Sequence, residues 1–156
     1  MQPQDGNKTA TQKFQTVNVE ELKGAEREII KHVQGDAFEK EIKTLMSLTS
    51  TNEMQRDEAR KRNQEIKQAS MLYRLDPFLD KEGILRVGGR IQQASLHEDI
   101  KNPVILPRKA HITELVIKDF HEKAHYQGRG FTLNEIRSNG YWIIGCSGAV
   151  SKFIKN

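Results

Sequence analysis

Residues 73–91, Tyr-Arg-Leu-Asp-Pro-Phe-Leu-Asp-Lys-Glu-Gly-Ile-Leu-Arg-Val-Gly-Gly-Arg-Ile, mark where helical patterning gives way to strands. Asp80 to Gly83 has turn chemistry, and Ile84, Leu85 and Val87 predict a short strand after it. Gly88-Gly89 permits a tight turn or bulge, and Arg90-Ile91 begins a return strand. No G-x-G-x-x-G or P-loop pattern accompanies these glycines, so a sheet turn is favoured over a phosphate cradle. Val104-Ile105-Leu106, between Pro103 and Pro107, reads as another short strand. Its flanking prolines cannot donate to a ladder, which suits an edge. Together these segments predict a small antiparallel sheet over residues 71–107.

Working outward, both flanks are helical. Upstream, Asn18 with Glu21 forms a capping-box pattern, in which each side chain satisfies a backbone N–H at the helix start. Leu22, Ala25, Ile29, Ile30 and Val33 then recur at helical spacing, with Gly35 as the stop. A second helix carries Phe38, Ile42, Leu45 and Met46 on one face. Their narrow apolar stripes need a partner surface to hold. Residues 52–70 are helix-permissive but almost without apolar side chains, as in a polar surface helix or linker. Residues 1–17 read as a disordered leader. Downstream, Ile112, Leu115, Val116 and Phe120 share one face of a helix running from about Lys109 to His125. Thr132 and Glu135 predict a capping box for a short helix that ends at Asn139-Gly140. Tyr141 to Ile144 is a dense apolar cluster, in which Tyr141 and Trp142 are expected in the core rather than stacked on bases. A last helix, from Ser147, places Val150, Phe153 and Ile154 inward. The fold class is therefore α+β: a helical connector (18–70), the sheet (71–107) and a helical module (108–156).

Composition narrows the functions open to such a chain. Of 156 residues, 36% are hydrophobic and 29% charged, so part of the chain buries a core and part is loosely packed. One cysteine excludes an internal disulfide and a four-cysteine metal site. No run approaches the roughly 18 apolar residues of a membrane span, and residues 1–15 lack a signal-peptide pattern. Nucleus or cytoplasm, rather than secretion, is the expected location. Residues 1–70 hold 12 basic and 12 acidic side chains, whereas residues 71–156 hold 13 and 9. That imbalance points the second half toward an anionic partner.

His121-Glu122-Lys123-Ala124-His125 is the sharpest local pattern. Histidines at i and i+4 on a helix project from one face and can reach one metal. As H-E-x-x-H, the string could belong to a zinc metallopeptidase with Glu122 as general base. The third ligand of the extended pattern falls on Phe131, however, and Glu135 is the only nearby downstream carboxylate. Structural zinc is the competing reading.

The longer string His121 to Ile143, HEKAHYQGRGFTLNEIRSNGYWI, resembles the His-His-Cys-Cys zinc-binding domain of retroelement integrases. His121, His125, Gly128, Thr132-Leu133, Ile136-Arg137 and Tyr141-Trp142 follow the family pattern in order. Tyr73 to Asp80, Gly83 to Ile91 and Asn102 to Pro107 resemble the segment that precedes this domain in BEL/Pao-type retrotransposon polyproteins. The helices at 20–48 resemble, more distantly, the connector upstream of it.

The resemblance implies a non-catalytic fragment of an integrase region. Such a module supports nucleic-acid binding at element DNA ends and multimer assembly, while a separate acidic core performs the chemistry. It implies His121 and His125 as zinc ligands, with the Cys-x-x-Cys pair due just past Asn156. Cys146 does not stand where the family places a ligand and reads as a small packing residue or an exposed thiol. Two histidines leave two tetrahedral zinc positions to water, so weak or absent zinc binding is expected. Arg86, Arg90, Arg108, Lys109, Arg129 and Arg137 are the candidate phosphate-contacting cations. A homo-oligomer or other polyprotein segments are possible partners, and a membrane is not. The other class of function is a stand-alone protein-interaction domain derived from a retroelement. His32, His97 and His111 are expected at the surface.

Overall fold

The computed structural model describes residues 18–49, 70–88, 97–125 and 127–155. The expected leader, most of the polar segment 52–70, Gly89 and the return strand from Arg90-Ile91 lie outside the described residues. Among the described residues, six α-helices and a four-stranded sheet make up an α+β fold. The helices are α1 (Val19–Ala37), α2 (Glu39–Thr49), α3 (Glu98–Lys101), α4 (His111–Lys123), α5 (Arg129–Ser138) and α6 (Cys146–Lys155). The strands are β1 (Phe78–Leu79), β2 (Leu85–Arg86), β3 (Val104–Leu106) and β4 (Tyr141–Ile143). A 3-10 turn, Tyr73–Leu75, precedes β1.

Helix α1 starts as its sequence dictates. Asn18 Oδ1 accepts from the Glu20 N–H at 3.3 Å, and Glu21 accepts from the Asn18 N–H at 2.9 Å. The expected stop at Gly35 is overrun, and the helix continues to Ala37. Phe38 then turns inward and α2 begins at once. The last helix begins at Cys146, one residue before the expected Ser147. Helix α5 departs further from expectation. Its N-cap is Gly128 at φ 94°, not Thr132. Thr132 lies a full turn inside, where its hydroxyl bonds back to the Gly128 carbonyl at 3.1 Å.

The sheet order is β1-β2-β3-β4. The first two pairings are antiparallel, as the 71–107 segment predicts. The fourth strand, from the Tyr141 cluster, pairs parallel to β3 with Ile105 opposite Trp142. The sheet is therefore mixed and is not confined to 71–107, and β3, paired on both sides, is an inner strand and not the edge its flanking prolines suggest. A parallel partner needs a crossover, and α4 and α5 supply it.

Alternation along the strands sorts side chains to two faces. Ile84, Val104, Leu106 and Ile143 face α4, α5 and α6, where Ile117, Phe120, Ile136, Cys146 and Val150 complete one core. Leu85 and Ile105 point the other way and join Phe38, Leu45 and Leu72 in a second core beside α2.

One polar side chain ties α1 to this sheet. Gln34 is fully buried. Val87 N–H bonds the Pro103 carbonyl, so the β2–β3 register makes Leu85 and Ile105 the next bonded pair. Gln34 joins that pair. Its Oε1 accepts from Leu85 N–H at 2.8 Å, and its Nε2 donates to the Leu85 and Ile105 carbonyls at 2.9 and 2.8 Å. The carboxamide thus stands in for a peptide group of the ladder. At the two ends of this contact, Arg27 pairs with Glu82 at 2.8 Å and the Tyr141 hydroxyl donates to Glu26. Burial first, and that bond second, push the Tyr141 phenol well above its ordinary range.

Gln34→Met keeps the length and loses every one of these bonds. Each buried backbone group left unmatched costs about 1–3 kcal/mol. Urea unfolding should therefore show a loss of at least about 3 kcal/mol, and a loss below about 1 kcal/mol would mean that the strands simply close up.

Candidate functional site

The two histidines do not share one helical face. Helix α4 ends at Lys123, two residues earlier than expected, and His125 adopts φ 49°. A positive φ swings Cβ away from the path of a helical side chain. His125 is exposed, whereas His121 is buried beneath α5 and α6. His121 Nδ1 lies 2.9 Å from Thr132 Oγ1, and its ring meets Phe153 edge-on at 6.0 Å. Because Thr132 spends its proton on the Gly128 carbonyl, its oxygen accepts here, which places the imidazole proton on Nδ1.

Zinc would need more donors than this pair. Among the described residues no three His, Cys, Asp or Glu side chains gather as a metal site. Glu122 is exposed on α4 and Phe131 is solvent-facing on α5. Cys146 is buried in the first core. The residues present therefore do not fit a four-coordinate zinc, and no chemistry is routed through one here.

The six candidate cations separate into distinct environments. Arg86 is committed to the fold: Nε reaches Asp80 at 2.6 Å, and Nη1 reaches Asp99 and the Asn102 carbonyl, both at 3.0 Å. It ties β2 to α3 and is not available to a phosphate. Arg90 lies outside the described residues. Lys109 is exposed in the turn before α4.

Of the other three, Arg108 and Arg129 lie against α6 and Arg137 stands near its start. Arg108 lies across its start; a Cβ on Gly148 would meet the guanidinium at 3.0 Å, and one on Gly145 would meet Cδ at 3.4 Å. Arg129 Nη1 reaches Ser151 Oγ at 3.4 Å. Arg137 sits over the Trp142 ring, 5.2 Å from its centroid. Lys152 and Lys155 are exposed on the same helix. No acidic residue follows Glu135 in the chain. Sequence reasoning named the arginines but missed α6 as the support of Arg108 and Arg129, since Gly145 and Gly148 look like breakers rather than a seat for a guanidinium.

The expectation for Trp142 and Tyr141 divides. Tyr141 packs against the first core, but Trp142 lies outside both cores and lines a cavity of about 280 Å³ with Arg137, Gly145, Cys146 and Gly148. His32, His97 and His111 are exposed; His32 pairs with Asp36 at 3.6 Å and His97 with Asp99 at 3.3 Å.

Comparison with protein-family models, with curated proteins and with solved structures returned no match. No helix among the described residues is long and apolar enough to cross a membrane.

Two titrations check this geometry. Burial works to raise the Asp80 carboxyl, but bonds from Arg86 and from the Ile84 and Glu82 N–H groups outweigh it and hold the group below its ordinary value. A carboxyl that binds its proton more weakly when folded stabilises the fold above the unfolded value of about 3.9. That stability is lost as pH falls through the lower folded value. The urea midpoint of the wild type should thus drop more steeply below pH 4 than that of Asp80→Asn. Burial also pushes the Cys146 thiol up, against a smaller opposing pull from Arg137. Native protein should react with a thiol reagent such as DTNB at neutral pH far more slowly than protein in urea. Equal rates would place Cys146 at the surface.

Proposed function

We propose that the chain is a non-catalytic module of a retrotransposon integrase region that holds nucleic acid by its sugar–phosphate backbone and takes part in multimer assembly. The observation that carries this reading is that Arg108 and Arg129 lie against α6 and Arg137 stands near its start, while the helix itself displays Lys152 and Lys155. Cations spaced along one helix, with no carboxylate in the same stretch of chain, suit a line of phosphates. None of these groups is arranged to read base edges in a groove, so affinity without sequence preference follows. The integrase assignment itself rests on the resemblance of residues 71–156, and the element's DNA ends are the partner it suggests. Catalysis belongs, in this reading, to an acidic core outside residues 1–156.

A second reading has its own support. Val19, Leu22 and Ile29 lie on one side of α1 and are 62%, 58% and 47% exposed. An apolar strip of that kind suits a protein partner, which favours the interaction-domain alternative for the N-terminal half and is compatible with assembly of the multimer.

Fluorescence anisotropy with a labelled DNA duplex tests the first reading. Binding should weaken steeply between 50 and 200 mM salt, as it does when phosphates are neutralised. Arg108→Ala and Arg129→Ala should each lower the slope of log affinity against log salt by about one. Affinity that is indifferent to salt would contradict a phosphate-tracking face.

A further inference from the structure

The fold leaves Trp142 where a core tryptophan would not be. Its parallel register opposite Ile105 puts it on the sheet face that carries the second core. Helix α2 covers that face, and the second core it closes extends from β1 as far as Ile105 and Ile144. β4 is the edge strand. Trp142, half-buried on it, joins neither core, while Tyr141 and Ile143 turn to the other face and are packed.

Cationic and apolar groups share the surroundings of the indole, with Ile143 and Cys146 among the apolar ones. Arg137 stacks over one side of the ring at 5.2 Å. The cavity of about 280 Å³ beside it is lined by Arg137, Tyr141, Trp142, Cys146 and the glycines 145 and 148. Arg108 lies against those same two glycines, so a second guanidinium stands at the rim. The absence of side chains at Gly145 and Gly148 makes room for Arg108 beside the cavity. An indole face flanked by two guanidinium groups suits a ligand that is both flat and anionic, and a base joined to its phosphate has that chemistry.

We propose that this cavity takes an unpaired nucleobase, which stacks on Trp142 while Arg108 and Arg137 hold the adjoining phosphates. The proposal rests on the nucleic-acid reading above and sharpens it: the preferred ligand is a single strand or a frayed duplex end, not a continuous duplex. A base inside a paired stack cannot offer its face to the indole, so pairing removes the contribution of the stack.

Trp142 is the one tryptophan in the chain, so its fluorescence reports the cavity directly. The intact protein would be titrated with a deoxythymidine dodecamer, with an abasic dodecamer of equal charge, and with a blunt duplex. Anisotropy of the labelled oligomers would follow binding separately from quenching. The deoxythymidine strand should quench Trp142 and bind about tenfold more tightly than the abasic strand, the effect expected of one base stack. The blunt duplex should bind with little quenching. Trp142→Leu should bring the deoxythymidine and abasic affinities together, and the wild-type comparison stands without it if that variant does not fold. Binding of all three with equal quenching, or with none, would overturn the stacking proposal and leave the phosphate-tracking face intact. Failure of every oligomer to bind would overturn both.

Discussion

The carboxamide of Gln34 bridges β2 and β3 at the Leu85–Ile105 pair. A primary amide carries a donor and an acceptor with nearly the geometry of a peptide group, so it can enter a ladder without leaving a gap. The result is a helix held to a sheet by directed bonds rather than by apolar area alone. That matters because α1 has little apolar area to offer: of its side chains only Ile30 and Gln34 are buried. Without the amide, Leu85 N–H and the Ile105 carbonyl would be stranded in the interior, where no water can reach them. The constraint fixes the rotation of α1 about its own axis, and with it the position of Glu26 under Tyr141 and of Arg27 beside Glu82.

The second half of the molecule inherits its layout from β3. All three β3 side chains are buried, two on one face and one on the other. Antiparallel β2 lies along one side and parallel β4 along the other. The crossover helices α4 and α5 must then lie on the face opposite α2, and α6 packs against them through Cys146 and Val150. With its inward side fixed by these residues, α6 turns Gly148, Ser151 and Lys152 outward, and Arg108 and Arg129 are laid on the first two of these. The basic surface is thus a consequence of sheet topology. Trp142 follows from the same topology, since parallel pairing sets it on the edge strand, outside both cores.

Much of this was legible in the residues. The Asn18–Glu21 cap, the helices α1 and α2, and the short strands at Leu85 and at Val104–Leu106 all carry local signals that the structure repeats, although Leu22, Ala25 and Ile29 of the expected α1 stripe stay exposed. The features that escaped are the non-local ones. Tyr141-Trp142-Ile143-Ile144 shows no alternation, and its partner strand lies two helices upstream, so nothing nearby marks it as a strand. Gln34 looks like any polar residue of a surface helix, because its three partners are backbone groups. Thr132 with Glu135 imitates a capping box, but Gly128 can adopt the φ of 94° that starts the helix earlier. The separation of Arg86 from Arg108 was likewise invisible: both sit beside a turn, and only folding brings Asp80 and Asp99 to the first and two glycines to the second.

Native-state hydrogen exchange at the Leu85 amide tests the central role of Gln34 most directly. This proton is bonded to a side chain from a helix 51 residues away in sequence rather than to a neighbouring strand. If the carboxamide is an integral rung of the sheet, Leu85 N–H exchanges only through global unfolding, at the same free energy as the most protected amides of β3 and α4. Exchange of Leu85 through a local opening, while β3 and α4 stay protected, would show that α1 detaches freely and that the sheet does not depend on it.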